Sequence, residues 1–298
     1  MSITDAVKRV LVGRRLSSAQ LGETLLPKRI ALPIFASDAL SSVAYAPDEI
    51  LITLSLAGMA GFGFSLPIGL AVAAVLLVVV ASYRQTVHAY PSGGGDYEVV
   101  TTNLGPTGGL VVASALLVDY VLTVAVSVSS GVQNAKAMLP FISGHEGEVA
   151  AVVIVLIMAV NLRGVRDSGG IFAVPTYLFM AGVAVMVIWG LVQIFVLGHP
   201  LTASTAGYTV VGTQQYEPLV GLGMVALLAR TFSSGCAALT GVEAISNGVP
   251  NFRKPKSKNA ATTLLLLGTI AVSMLLGILV LARLAGVKMI DVRVCAVW

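Results

Sequence analysis

The chain has 298 residues, of which 56% are hydrophobic and only 11% are charged, whereas about 25% of the residues of a soluble domain are charged. This composition excludes a soluble globular protein and indicates an integral membrane protein. The net charge of +4 does not indicate nucleic-acid binding, because most basic residues lie in loops on one side of the predicted helices. The two cysteines show neither metal-ligand spacing nor a disulfide framework.

Apolar segments long enough to cross a hydrocarbon core of about 30 Å recur along the chain. They occupy residues 30–58, 64–83, 107–134, 149–162, 169–197, 217–247 and 259–285. The segment 149–162 is the shortest and weakest of them. We therefore predict an all-α integral membrane protein with about seven transmembrane helices.

The distribution of Lys and Arg predicts the orientation of these helices. With the N-terminus inside, thirteen of the eighteen basic residues lie in cytoplasmic segments, which is the positive-inside pattern. The first apolar segment is too long for the core of a signal peptide, so no cleavage is expected. We predict a multi-pass protein of the cell membrane with a cytoplasmic N-terminus.

The first span, residues 30–58, contains polar groups that a membrane should reject. A straight helix of this length would measure about 43 Å, and the segment Ser37–Ser42 carries a carboxylate and three hydroxyls, followed by Pro47. These features predict two half-helices joined by unwound backbone. Such backbone is tolerated at membrane depth only when it is buried in protein or lines a cavity, and transporters use it to bind ions.

The third span carries an ionisable residue within a row of polar side chains. Asp119, Thr123, Ser127 and Gly131 are spaced by four residues and therefore share one helical face. Hydroxyls in helices often bond only the carbonyl four residues earlier. An Asp at the centre of a membrane helix costs about 2.5–3.5 kcal/mol to insert, so the sequence indicates a functional role for Asp119.

The sixth span is also interrupted, by small and polar residues from Thr231 to Gly241. It runs in the opposite direction to the first span and follows it by five spans. Two broken helices in this relation are typical of an inverted repeat of five helices.

The turn Pro91–Gly95, with three successive glycines, has no GK[ST] after it and is interpreted as a closely packed turn, not a phosphate loop. Asp96 is expected to be functionally silent.

Four segments together resemble a known family: LPKRIALPIFASDALSSVAYAPDEI, YPSGGGDYEVV, LLVDYVLT and SGCAALTGVEAISNGVPNF. They are similar to the amino acid–polyamine–organocation (APC) superfamily of secondary transporters, which has a LeuT-like fold, and within it to the KimA-type potassium/proton symporter family. The resemblance implies a cation site built from helices one, three and six. Its implied ligands are Asp38, Tyr45, Asp119, Tyr120, Thr123, Ser127 and Thr231.

The resemblance also implies a domain organisation. Residues 1–28 are expected to form a cytoplasmic segment, either an amphipathic helix on the inner leaflet or a solvated basic tail. Residues 29–285 would hold the first five-helix repeat and two helices of the second, so this transmembrane transporter domain is incomplete. Residues 286–298 are an atypical tail, and we expect the chain to be C-terminally truncated.

The main functional prediction is proton-coupled import of potassium. The alternatives are a permease for an amino acid or small organic cation, and a truncated fragment that does not transport. An enzyme is not expected, because the three histidines lie in loops and no nucleophile, base and orienting group can be assembled. No cofactor is expected, and the coupling ion would be a proton. The expected partners are the lipid bilayer, a small cation or amino acid, and a second copy in a homodimer, but no nucleic acid.

Overall fold

A computed structural model describes residues 25–136, 138–162, 165–212 and 221–289. The predicted N-terminal amphipathic helix and most of the C-terminal tail lie outside these described residues. The α-helices are α1 (Lys28–Ser55), α2 (Ser65–Ala89), α3 (Gly95–Leu104), α4 (Pro106–Lys136), α5 (Glu146–Asn161), α6 (Val165–Phe195), α7 (Gly221–Gly235), α8 (Glu243–Asn247) and α9 (Lys256–Leu284). Short 3-10 segments cover Gly58–Phe64, Pro140–Ile142, Cys236–Leu239 and Val249–Asn251.

Within the described residues, six helical segments are long and apolar enough to cross a membrane. They are Lys28–Ser55, Gly58–Ala89, Pro106–Lys136, Phe172–Phe195, Gly221–Asn247 and Lys256–Leu284. This confirms an all-α, multi-pass membrane protein. The predicted fourth span forms α5, whose 16 residues extend about 24 Å and fall short of the hydrocarbon thickness, so only six of the seven predicted spans meet the criterion.

Helix α1 lies at the centre of the bundle and packs against α6, α7 and α9. Small side chains alternate with larger ones along its buried face, which lets neighbouring helices approach closely, as is usual in membranes. Residues of α1 that are fully buried include Ala31, Ala36, Leu40, Val43, Ala46, Ile50 and Leu54. The core therefore surrounds the helix that also carries Asp38.

The predicted break in the first span is wrong, because α1 is continuous from Lys28 to Ser55 and includes Pro33 and Pro47. The hydroxyl of Ser41 donates a hydrogen bond to the carbonyl of Asp38 at 2.8 Å. This polar side chain thus finds its partner on the helix itself, and the backbone of the segment remains helical. A helix longer than the hydrocarbon core is accommodated by tilt.

The predicted interruption of the sixth span is present, but it begins later than expected. Helix α7 continues to Gly235, and the 3-10 segment Cys236–Leu239 follows. Thr240 is extended (φ −62°, ψ 139°), and Gly241 has a positive φ of 85°, a conformation that glycine adopts without steric cost. The chain resumes as α8 at Glu243. Since α1 is not interrupted, the inverted LeuT-like repeat stays a prediction.

Helix α4 lies at the periphery of the bundle, in contrast to α1. Its only buried residues are Gly109 and Val132. It packs mainly against α3 and α5, and α3 in turn contacts α8. The position of α4 relative to the core therefore depends on few contacts.

Candidate functional site

A cavity of about 390 Å³ separates α1 from α4. The extended residue Thr240, in the break between α7 and α8, contributes to its wall. The lining consists of Asp38, Ser41, Tyr45, Asp119, Leu122, Thr123, Val126, Ser127, Ser130 and Thr240. Two sparsely connected helices and one helix break thus line a partly open cavity at the periphery of the bundle, whose surface combines polar groups with apolar side chains.

Helix α4 supplies one wall of the cavity. Asp119, Thr123 and Ser127 line it together, as expected for residues that are spaced by four on one helical face. Ser130, three residues further along, extends the same row of hydroxyls. Leu122 and Val126 provide the apolar part of this wall.

Helix α1 supplies the opposite wall. Asp38, Ser41 and Tyr45 lie at positions i, i+3 and i+7 and therefore share a face. The hydroxyl of Tyr45 donates a hydrogen bond to the hydroxyl oxygen of Ser42 at 3.1 Å. This bond holds the phenol beside the helix, where its oxygen keeps a lone pair for a ligand.

The helix break brings the α7–α8 connection against the carboxylate of Asp38. A Cβ added to Gly241 would lie 2.7 Å from Oδ2 of Asp38 and 2.7 Å from the backbone nitrogen of Ala39. Only glycine permits this approach, which also places Thr240 at the cavity. A residue of the broken sixth span thereby joins the groups from α1 and α4.

The electrostatics of the cavity are acidic. Asp38 and Asp119 are close enough for their charges to interact, and Glu243, at the start of α8, interacts with both. Among the described residues, no Lys, Arg or His side chain lines the cavity. Its polar atoms are carboxylate, hydroxyl and phenol oxygens, the kind of donor set that replaces the hydration shell of a cation.

The sequence matches known proteins over almost its whole length. Residues 34–292 match the family model described as amino acid permease. The chain belongs to the amino acid permease family. The resemblance to the APC superfamily is thereby confirmed, and this superfamily consists of membrane transporters, which are not an enzyme class.

A relative of this chain is the "Potassium transporter KimA" of Bacillus subtilis (strain 168). The two sequences are 43% identical over 277 residues, which are 93% of this chain and 44% of the relative. The permease described here thus spans less than half the length of that protein.

Two of the implied ligands lie away from the cavity. Thr231 is fully buried, and its hydroxyl donates to the carbonyl of Leu227 at 2.8 Å, because α7 is still helical at this position. The phenol oxygen of Tyr120 accepts a hydrogen bond from Nδ2 of Asn247 at 2.7 Å. The structure brings together only the other five: Asp38, Tyr45, Asp119, Thr123 and Ser127.

Sequence reasoning missed three hydroxyls that line the cavity. Ser41 and Ser130 lie one helical turn from predicted residues, so helical spacing alone would have found them. Thr240 lies within the SSGCAALTG segment, where the position of the break determines which hydroxyl is exposed. Asp96 accepts a hydrogen bond from the hydroxyl of Tyr83 at 2.9 Å, and the expectation that it is functionally silent stays a prediction.

Proposed function

We propose that this permease imports potassium ions together with protons across the cell membrane, with its N-terminus in the cytoplasm. The observation that carries the proposal is the pair Asp38 and Asp119 in one cavity whose other polar groups are hydroxyls. Carboxylates inside a membrane domain are costly unless they are neutralised. A cation that binds between α1 and α4 would neutralise them and would gain oxygen ligands from both helices.

The number of carboxylates supplies a reason for proton coupling. Two negative charges in one cavity are not balanced by a single monovalent cation. One potassium ion and one proton together balance them, so the loaded cavity would be neutral and would cross the low-dielectric barrier at lower cost. The name of the relative KimA supports potassium as the cation.

The alternative substrate is an amino acid or a small organic cation, and the family description supports it. An amino acid carboxylate would require donors, such as backbone N–H groups at a helix break, and would be repelled by Asp38 and Asp119. An organic ammonium would suit the carboxylates but would leave most hydroxyl oxygens without a close cation. Both are competitors in the test.

The test measures ligand binding and transport separately. The purified chain in lipid nanodiscs is unfolded thermally in KCl and in N-methyl-D-glucamine chloride, and a ligand that binds the folded state raises the midpoint. The chain is also reconstituted in vesicles, and potassium uptake is followed under an inward proton gradient. We expect stabilisation by KCl and uptake driven by the proton gradient.

Each of the other possible results of these two measurements favours a different conclusion about the protein. Stabilisation by alanine or by a small amine, but not by KCl, would replace potassium with an organic substrate. Potassium binding without uptake would identify a fragment that binds the ion but does not transport it. An unfolding midpoint that no ligand changes would overturn the proposed site.

A further inference from the structure

One hydrogen bond outside the cavity joins α8 to the α4 wall. Nδ2 of Asn247, the last residue of α8, donates to the phenol oxygen of Tyr120 on α4 at 2.7 Å. Tyr120 directly follows the cavity residue Asp119, and α8 directly follows the break that carries Thr240. The bond therefore links the segment that holds Thr240 to the helix that holds Asp119.

The amide of Asn247 is held in place by the turn before α3. Gly95 is buried with φ +48°, and its Cα lies so close to Oδ1 of Asn247 that an added Cβ would clash with this oxygen. The neighbouring Gly93 packs against the ring of Pro250. Oδ1 is buried and has no hydrogen-bond partner within the described part of the chain. Packing therefore orients this amide and directs its N–H group at Tyr120.

Helix α3 also packs directly against α4. Gly109 of α4 packs closely against Thr101 and Tyr97 of α3. Helix α3 thus contacts α4 through Gly109 and Asn247 through Gly95. Helix α4 has few buried residues. The contact at Gly109 and the Asn247–Tyr120 bond therefore determine the position of the α4 wall.

We propose that Asn247 is a positioning residue that sets the width of the cavity and thereby its discrimination among alkali cations. The inference rests on the proposed function, since it takes a monovalent cation as the ligand. Cation selectivity depends on cavity size and on the field of the coordinating oxygens. Asn247 affects both the cavity size and the field of the oxygens, because its bond to Tyr120 fixes α4. A displaced α4 would move Asp119, Thr123 and Ser127 together.

The first experiment compares cation affinities of the full chain in nanodiscs, measured by thermal shift with KCl, RbCl and NaCl. The variants are Asn247→Leu, Tyr120→Phe, the double variant, and Gly95→Ala, which displaces the amide without removing it. We expect roughly two- to tenfold weaker potassium binding, as for the loss of one hydrogen bond, and a smaller potassium-to-sodium ratio. The double variant should equal the single variants, because both remove the same bond.

The chain offers a matched control. Nδ2 of Asn103 donates to the phenol oxygen of Tyr90 at 2.8 Å, and neither residue lines the cavity. Asn103→Leu should leave the cation affinities and their ratios unchanged. An equal change in Asn103→Leu and Asn247→Leu would overturn the positioning role, and so would an unchanged ratio in both Asn247→Leu and the conservative variant Tyr120→Phe.

The second experiment tests the geometry without any cation. Spin labels at Leu117→Cys on α4 and Leu265→Cys on α9, both exposed positions, report the distance between α4 and the core. We expect a broader or shifted distance distribution in Asn247→Leu and Tyr120→Phe. Unchanged distances would overturn the role of Asn247, whereas an unsubstituted chain that binds no alkali cation would overturn the proposed function and its selectivity consequence.

Discussion

The carboxylate of Asp38 lies where a side chain at Gly241 would point, so the continuous helix α1 and the broken span α7–α8 meet at the candidate cation site. An added Cβ at Gly241 would lie 2.7 Å from Oδ2 of Asp38. The positive φ of 85° at Gly241 turns the chain back towards α1. The conformation of one glycine therefore determines which hydroxyl, that of Thr240, reaches the cavity.

Gly241→Ala should destabilise the protein and impair cation binding. The left-handed conformation costs roughly 1–2 kcal/mol for a residue with a Cβ, and the new methyl group would also displace Asp38. We expect a lower unfolding midpoint and loss of the stabilisation by KCl. Gly182→Ala in α6 is the matched control, because an added Cβ there meets no atom within 4 Å. Equal midpoints for the two variants would contradict the prediction.

Asp38→Asn and Asp119→Asn should each abolish potassium-dependent stabilisation and uptake, while the amount of protein in the membrane stays the same. Each variant keeps the side-chain size and removes one of the two charges that face the cation. Glu148→Gln neutralises an exposed carboxylate at the start of α5 and should have no effect. Unimpaired potassium binding in both Asp variants would remove the carboxylate pair from the mechanism.

Single cysteines at two neighbouring serines distinguish a continuous α1 from an unwound one. Ser41 lines the cavity, whereas Ser42 is 1% exposed on the buried face. In a background without native cysteines, Ser41→Cys should react with a small aqueous thiol reagent and be protected by KCl, and Ser42→Cys should not react. Similar rates at both positions would indicate unwound backbone, as the sequence suggested.

The orientation of the protein is tested by labelling from the two sides of the membrane. Met59, in the 3-10 segment after α1, and Lys258, in the first turn of α9, are exposed. With a cytoplasmic N-terminus, and with the short helix α5 crossing as the seventh predicted span, Met59→Cys should react with an impermeant reagent added outside, and Lys258→Cys only after permeabilisation. The reverse pattern would invert the topology.

The ion pair between Lys136 and Glu146 should make the α4–α5 connection sensitive to acid. Their charged atoms lie 2.7 Å apart, and the hydrogen bond from Lys136 lowers the pKa of Glu146 from 4.5 to about 2. Because the folded-state pKa is lowered, the contribution of this pair is present above pH 4.5 and is lost as the pH falls towards 2. Carbon-13 NMR titration of Glu146 should show the low pKa, and Lys136→Met should raise it towards 4.5.

Much of the architecture follows from the sequence because it depends on local patterns. Apolar segments of sufficient length predicted seven membrane spans, of which six meet the criterion within the described residues, and the spacing of Asp119, Thr123 and Ser127 predicted one polar helical face. Both properties follow from helical geometry alone. Four motifs in order were enough to recognise the superfamily.

Only the tertiary structure decided where the chain bends and which distant groups meet. Polar residues occur within both the first and the sixth span, but α1 is continuous from Lys28 to Ser55, whereas the chain at Thr240 and Gly241 turns against Asp38. The Asn247–Tyr120 bond joins residues 127 positions apart, and no local periodicity relates them. Contacts of this kind depend on how the helices pack, so neither this bond nor the place of Thr240 at the cavity could be read from the sequence.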